Sequence, residues 1–131
     1  MKYMLDTDTF SYLVNGRPKV LERYAAVVEH GVGLSIISYG EVLFGVSKQQ
    51  PSAAKQKRID YLLEHMPIAL MDQDVAKHYG QVRSALELSG KPIGPNDTWI
   101  AAHALSLGAT LVTGNVREYK RVLGLRVENW I

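Results

Sequence analysis

A chain of 131 residues, 47% hydrophobic and 21% charged, has the size and make-up of one globular domain with its own core, which excludes a disordered or low-complexity chain. With no cysteine, disulfides, thiolate zinc sites, iron–sulfur clusters and cysteine nucleophiles are all excluded. A formal net charge of +2 neither demands nor forbids a polyanionic partner. The N-terminus meets an acid before any secretory apolar run develops, and no window approaches the roughly 20 apolar residues of a membrane span, so a soluble, cytoplasmic protein is expected.

In chain order, "KYML" is an apolar run too brief for a helix and reads as a strand ending at Asp6. A short helix is expected over Thr9 to Val14, with Asp8 as its cap, before Asn15-Gly16 turns the chain. "PKVLERYAAVVEH" opens on proline and sets Val20, Leu21, Tyr24, Val27 and Val28 on one face. "VGLSII" is the second strand. From Ser38 the period becomes helical, with Val42, Leu43 and Val46 on one stripe, until "QQPS" breaks it.

A helix from about Ser52 to Glu64 and a strand "PIALM" follow, with Met66 and Met71 read as core filler. Val75, Tyr79, Val82 and Leu86 then mark a long helix ending at Ser89-Gly90. After the loop "GKPIGPND" comes a helix whose inner side is Ile100, Ala101, Ala104 and Leu107. "ATLVT" is a strand, "NVREYKRV" a short helix and "LRVENWI" an edge strand or terminal extension. Strands alternating with helices predict an α/β domain, residues 1–131, with a central parallel sheet covered on both faces.

In such a sheet Asp6, Glu41, Asp97, Asn115 and Glu118 all fall at the carboxyl ends of strands or at neighbouring helix starts, so they can converge on one edge. Four acids there are costly unless protonated, paired or bound to a cation, and hard oxygen donors suit Mg2+ or Mn2+. Each also has a local alternative. Ser38 and Glu41 have capping-box spacing, as do Asn115 and Glu118, and Asp97 in a first turn favours the helix dipole. Asp6 is harder to explain locally, because a buried central strand offers it only the adjoining turn. The two prolines and two glycines of "GKPIGPND" specify a backbone more tightly than a plain connector needs.

The segments "MLDTDTFSYLVNG", "ISYGEVLFGV" and "HYGQVRSALELSGKPIGPNDTWIAAHALSLGATLVTGNVREYKRVLGLRVENWI" together resemble PIN-domain endoribonucleases, specifically the VapC toxins of type II toxin–antitoxin pairs. The resemblance implies an α/β/α PIN sandwich that cuts RNA with Mg2+ or Mn2+, leaving a 5′-phosphate and a 3′-hydroxyl. It assigns catalysis to Asp6, Glu41, Asp97, Asn115 and Glu118, with Asp6, Asp97 and Glu41 as metal ligands and Thr7 and Thr113 hydrogen-bonded to those acids. Asn115 stands where many such toxins carry Asp; an amide can ligate through its carbonyl but adds no charge. Kinship also implies a homodimer, a cognate VapB-type antitoxin in a hetero-oligomer, and no membrane.

Arg17, Lys19, Lys91, Arg117, Lys120 and Arg121 lie nearest the acidic edge by topology, and Arg83 matches an arginine of the family's long helix; these are the candidates for RNA phosphates. Tyr39 and Trp99 are candidates for base stacking or core packing. His30, His65, His78 and His103 form no metal motif with the acids and read as structural. Two rivals stand beside this reading. A haloacid-dehalogenase-like phosphatase would use Asp6 as nucleophile and Asp8 as acid/base, but it wants a lysine and then an acidic pair after the hydroxyl strand, whereas Asp97 precedes Thr113. A PIN module that has lost turnover would bind RNA or protein without cutting.

Overall fold

The computed structural model describes residues 1–131. Five strands, β1 (Tyr3–Leu5), β2 (Val32–Ser35), β3 (Ile68–Ala69), β4 (Thr110–Val112) and β5 (Val127–Glu128), form one all-parallel sheet in the order β3-β2-β1-β4-β5. Seven helices cover it: α1 (Thr7–Val14), α2 (Pro18–Val27), α3 (Ile36–Gln49), α4 (Ala53–His65), α5 (Gln73–Leu88), α6 (Pro95–Leu107) and α7 (Val116–Tyr119). The expected sandwich is the one observed. Because β1 is central and every strand points the same way, the segments after β1, β2 and β4 emerge on one edge.

Alternation along β1 divides the core. Tyr3 and Leu5 face a cluster with Phe10, Leu13, Val20, Val42 and Ile59, while Met4 faces one with Ile100, Ala101, Ala104, Leu111 and Tyr119. The central strands are buried on both faces, which explains their continuous apolar runs. Packing across the sheet is tight at Gly33 of β2, where an added Cβ would overlap the Pro67 carbonyl oxygen and the Met1 methyl. Gly33→Ala is therefore expected to cost about 1–3 kcal/mol, read as a lowered melting temperature.

Several local expectations need correction. Helix α1 starts at Thr7, two residues early, because Asp6 is its cap: its Oδ1 accepts from Thr9 N at 2.8 Å, and Asp8 is an exposed first-turn residue. Strand β2 stops at Ser35, whose hydroxyl caps α3 by accepting from Ile37 N at 3.1 Å. The Ser38–Glu41 capping box is thus absent, and Ser38 lies buried inside the helix. Asn115 precedes α7 without a side-chain cap bond. Leu21, Val28, Leu43 and Leu107 are exposed rather than inward, and Met71 is exposed while Met66 is core. "PIALM" contributes only two strand residues, having a single neighbour at the sheet edge.

Candidate active site

Asp6 leaves β1 with its amide bonded to Val112 O of β4 at 2.9 Å, so the backbone pins this carboxylate between the two central strands. Burial raises its pKa above the ordinary 3.8; hydrogen bonding from Thr113 and Thr9 opposes the rise, and the Asp8 charge adds to it. The geometry at Thr113 accounts for its role. Its hydroxyl accepts from Asn115 N at 2.9 Å, which leaves the hydroxyl hydrogen free for Asp6.

Glu41 sits in the second turn of α3, where its Oε1 accepts from the Thr7 hydroxyl at 2.6 Å. That bond crosses from the first turn of α1 to α3, so the chain that positions Asp6 also orients Glu41. Thr7→Val should keep the fold yet release Glu41. If the site has the endoribonuclease activity that the sequence resemblance implies, a cleavage rate lowered about tenfold is the expected result, measured on labelled RNA with thermal unfolding as the control.

Asp97 lies in the first turn of α6, after Gly94 and Pro95 at the cap and first helical position. Burial raises its pKa first of all; the Tyr119 hydroxyl works against this, and the charges of Glu118 and Glu41 add to it. Glu118 on α7 is held on two sides, by the Gly94 amide at 3.4 Å and by the Asn115 side-chain amide, which donates to its second oxygen. Asn115 therefore serves Glu118 here as a donor. Tyr119 was not singled out by sequence reasoning. It is 2% exposed, and its phenol is raised far above the usual range by burial and by the charges of Asp97, Asp6 and Glu118 around it. The one available signal was an aromatic with a polar tip directly after a candidate acid.

The four acids are thus linked: Asp97 feels Glu41 and Glu118, and Tyr119 stands among Asp97, Asp6 and Glu118. None has a cationic partner, since the ion pairs of the molecule are Arg23–Glu128, His78–Asp74 and Arg83–Glu87. In this conformation no three acids or histidines are drawn close enough to grip one ion. The all-oxygen donors, the missing counter-charge and the upward pressure on two carboxyls nevertheless fit a hard divalent cation.

The candidate phosphate-binding residues divide. Arg117, Lys120 and Arg121 are exposed on and just after α7, beside Glu118, and Arg121 reaches back to Pro92 O at 3.3 Å. Lys91 is exposed in the same loop. Arg17 lies 4.1 Å over the Tyr12 ring, and Lys19 stands beside Glu128 and Trp130. Arg83 is engaged on its own helix, by Glu87 and the Tyr79 hydroxyl, both at 3.0 Å. Trp99 stacks on Tyr79 with centroids 3.7 Å apart and planes 9° from parallel. A groove of about 230 Å3 between α1, α3 and α4 adjoins the acidic site at Thr7 and Glu41 and continues over Val42, Val46 and Ile59.

The family model described as PIN domain matches residues 3–123. The chain belongs to the PIN-domain family. Among curated relatives, Ribonuclease VapC1 of Haemophilus influenzae (strain R2866) is 37% identical over 99% of this chain and 98% of its own length, and the tRNA(fMet)-specific endonuclease VapC of Shigella flexneri is 32% identical over 99% and 98%. Among solved structures, VapBC2 from Rickettsia felis bound to a promoter DNA fragment matches with a TM-score of 0.91 at 34% identity, covering all of both chains. VapBC from Salmonella typhimurium bound to DNA matches at 0.87 and 32%, covering 100% of this chain and 99% of that one. This PIN domain falls among the VapC ribonucleases.

Proposed function

We propose that this PIN domain is a VapC-type endoribonuclease toxin, dependent on Mg2+ or Mn2+ and restrained by a VapB-type antitoxin. The observation that carries it is the set Asp6, Glu41, Asp97 and Glu118, gathered from four separate chain segments without a cationic partner. Relatives named as ribonucleases and as a tRNA endonuclease support RNA as the substrate.

Asp6, Asp97 and Glu41 would hold the cation, which when bound lowers the pKa of a water and stabilises charge on the phosphate oxygens. Thr7 and Thr113 fix the orientation of Glu41 and Asp6. Glu118, steered by Asn115 and Gly94, would orient attacking water by hydrogen bonding. Arg117, Lys120, Arg121 and Lys91 would hold backbone phosphates, with Arg17, Lys19 and Arg83 as outer contacts; this gives affinity without sequence choice.

Solved neighbours that are VapBC assemblies support the antitoxin. Its place in this reading is the groove between α1, α3 and α4, which is lined by Phe10, Val14, Val42 and Ile59 and opens beside Thr7 and Glu41. A second copy of the chain completes the hetero-oligomer. No helix is long and apolar enough to cross a membrane.

The test is incubation of nuclease-free protein with end-labelled RNA. Cleavage in Mg2+ that stops in EDTA and is lost in Asp97→Asn is expected. Cutting that survives EDTA would refute the mechanism, and RNA binding with no cutting in either ion would leave a binding module instead.

A further inference from the structure

Two buried polar side chains outside the acid set join the helices that carry it. Ser35, 0% exposed, ends β2 and caps α3; His103, 0% exposed, lies in α6; and Ser35 Oγ stands 2.8 Å from His103 Nδ1. Each partner has a fixed local role. Ile37 N–H occupies one lone pair of Ser35 Oγ, leaving the hydroxyl hydrogen for Nδ1. Nε2 is buried on the side of the Leu70 carbonyl without closing a hydrogen bond. Burial favours the neutral ring, as the acceptor role of Nδ1 requires.

The spacing gives this bond its meaning. Glu41 lies six residues after Ser35 along α3, and His103 lies six residues after Asp97 along α6. Both intervals are helical and rise roughly 9 Å. Glu41 and Asp97 sense each other's charge at one end of these intervals, and Ser35 and His103 are bonded at the other. The two helices therefore run past one another, joined by a neutral rung at Ser35–His103. Because residues six apart point about 120° apart around a helix, that rung reaches the acids through the helix backbones and not along one shared face.

We infer that the Ser35–His103 hydrogen bond is a positioning device that sets the separation of Glu41 and Asp97 for a shared divalent cation. It acts through the two helices and touches neither ion nor RNA. Because a buried donor and acceptor left without each other are expensive, the rung has one preferred length. The acids at the far end inherit that constraint. This rests on the nuclease reading above.

The experiment compares wild type with His103→Leu, Ser35→Ala, their double variant, and His103→Asn, whose side-chain carbonyl can replace Nδ1 as acceptor. Mn2+ binding is measured by calorimetry without RNA, kcat and KM on labelled RNA in Mg2+, and folding by thermal melts. His103→Leu and Ser35→Ala should each weaken Mn2+ binding and lower kcat by roughly 3–30-fold with KM for RNA unchanged. The double variant should lose no more than the worse single one, and His103→Asn should recover most of the loss. A lowered melting temperature with Mn2+ affinity and kcat intact in either single variant overturns the inference, as does additive loss in the double. An active wild type with intact variants removes this inference alone; a wild type that neither binds Mn2+ nor cuts RNA removes the nuclease reading with it.

Discussion

Asp6→Asn should lose RNA cleavage by on the order of 10²–10³-fold while the protein melts no lower than wild type. The two halves of this result have separate causes. Asn caps a helix about as well as Asp, so the bond from Thr9 N that starts α1 survives. The charge does not survive, and with it goes the carboxylate of a residue whose backbone amide is bonded to Val112 O at the centre of the sheet. Since Asp6 is held above its ordinary pKa chiefly by burial, removing its charge at neutral pH also relieves the metal-free fold, and the melting temperature should rise by roughly 2–4 °C for each kcal/mol relieved. Circular dichroism melts in EDTA, run beside the cleavage assay, check both halves. A variant that cuts RNA at the wild-type rate would show that Asp6 is only a cap.

Stability of the metal-free protein should fall as pH rises, and divalent cation should restore it. The sign follows from the direction of two shifts. Asp6 and Asp97 are both raised above 3.8 in the folded chain, chiefly by burial, so the fold binds protons more tightly than the unfolded chain does. Their contribution is complete below the unfolded value and lost as pH rises through the raised folded values. Bound cation stabilises the ionised forms and reverses the loss. At about a hundredfold excess over its Kd it should add on the order of 3 kcal/mol, a rise of roughly 5–10 °C in melting temperature, and little below the folded pKa values, where protons compete. Scanning melts across pH with Mn2+ or EDTA measures this; a shift with Mn2+ that is the same at acidic and neutral pH would contradict it.

How far the amino-acid sequence foretold these features depended on the range of the forces involved. Element order was legible because period-2 and period-3.6 patterns are local, and the sheet followed from their alternation. Helix starts were misplaced at Ser35 and Asp6 because each residue caps its helix right at a strand-to-helix junction: Ser35 is the last residue of β2, and Asp6 directly follows β1. The apolar Ile36 and Ile37 prolonged the strand pattern into what is already helix. Leu21 and Leu43 had helical spacing but lack a neighbouring element to cover them, which spacing alone does not reveal. Among the candidate site residues, those marked by charge or by a rigid turn stood out. Tyr119 and the Ser35–His103 pair did not, since nothing local marks a contact across 68 residues.

The lack of any basic partner for the four clustered acids has a kinetic consequence. A polyanion approaching the bare cleft meets a field of its own sign at short range, even though the whole chain is weakly cationic. In the proposed mechanism the order of arrival is therefore constrained: ion before nucleic acid. Pre-equilibrating enzyme with Mg2+ would then give cleavage without a lag, whereas adding the ion last to an enzyme–RNA mixture would start the reaction from a largely unproductive encounter.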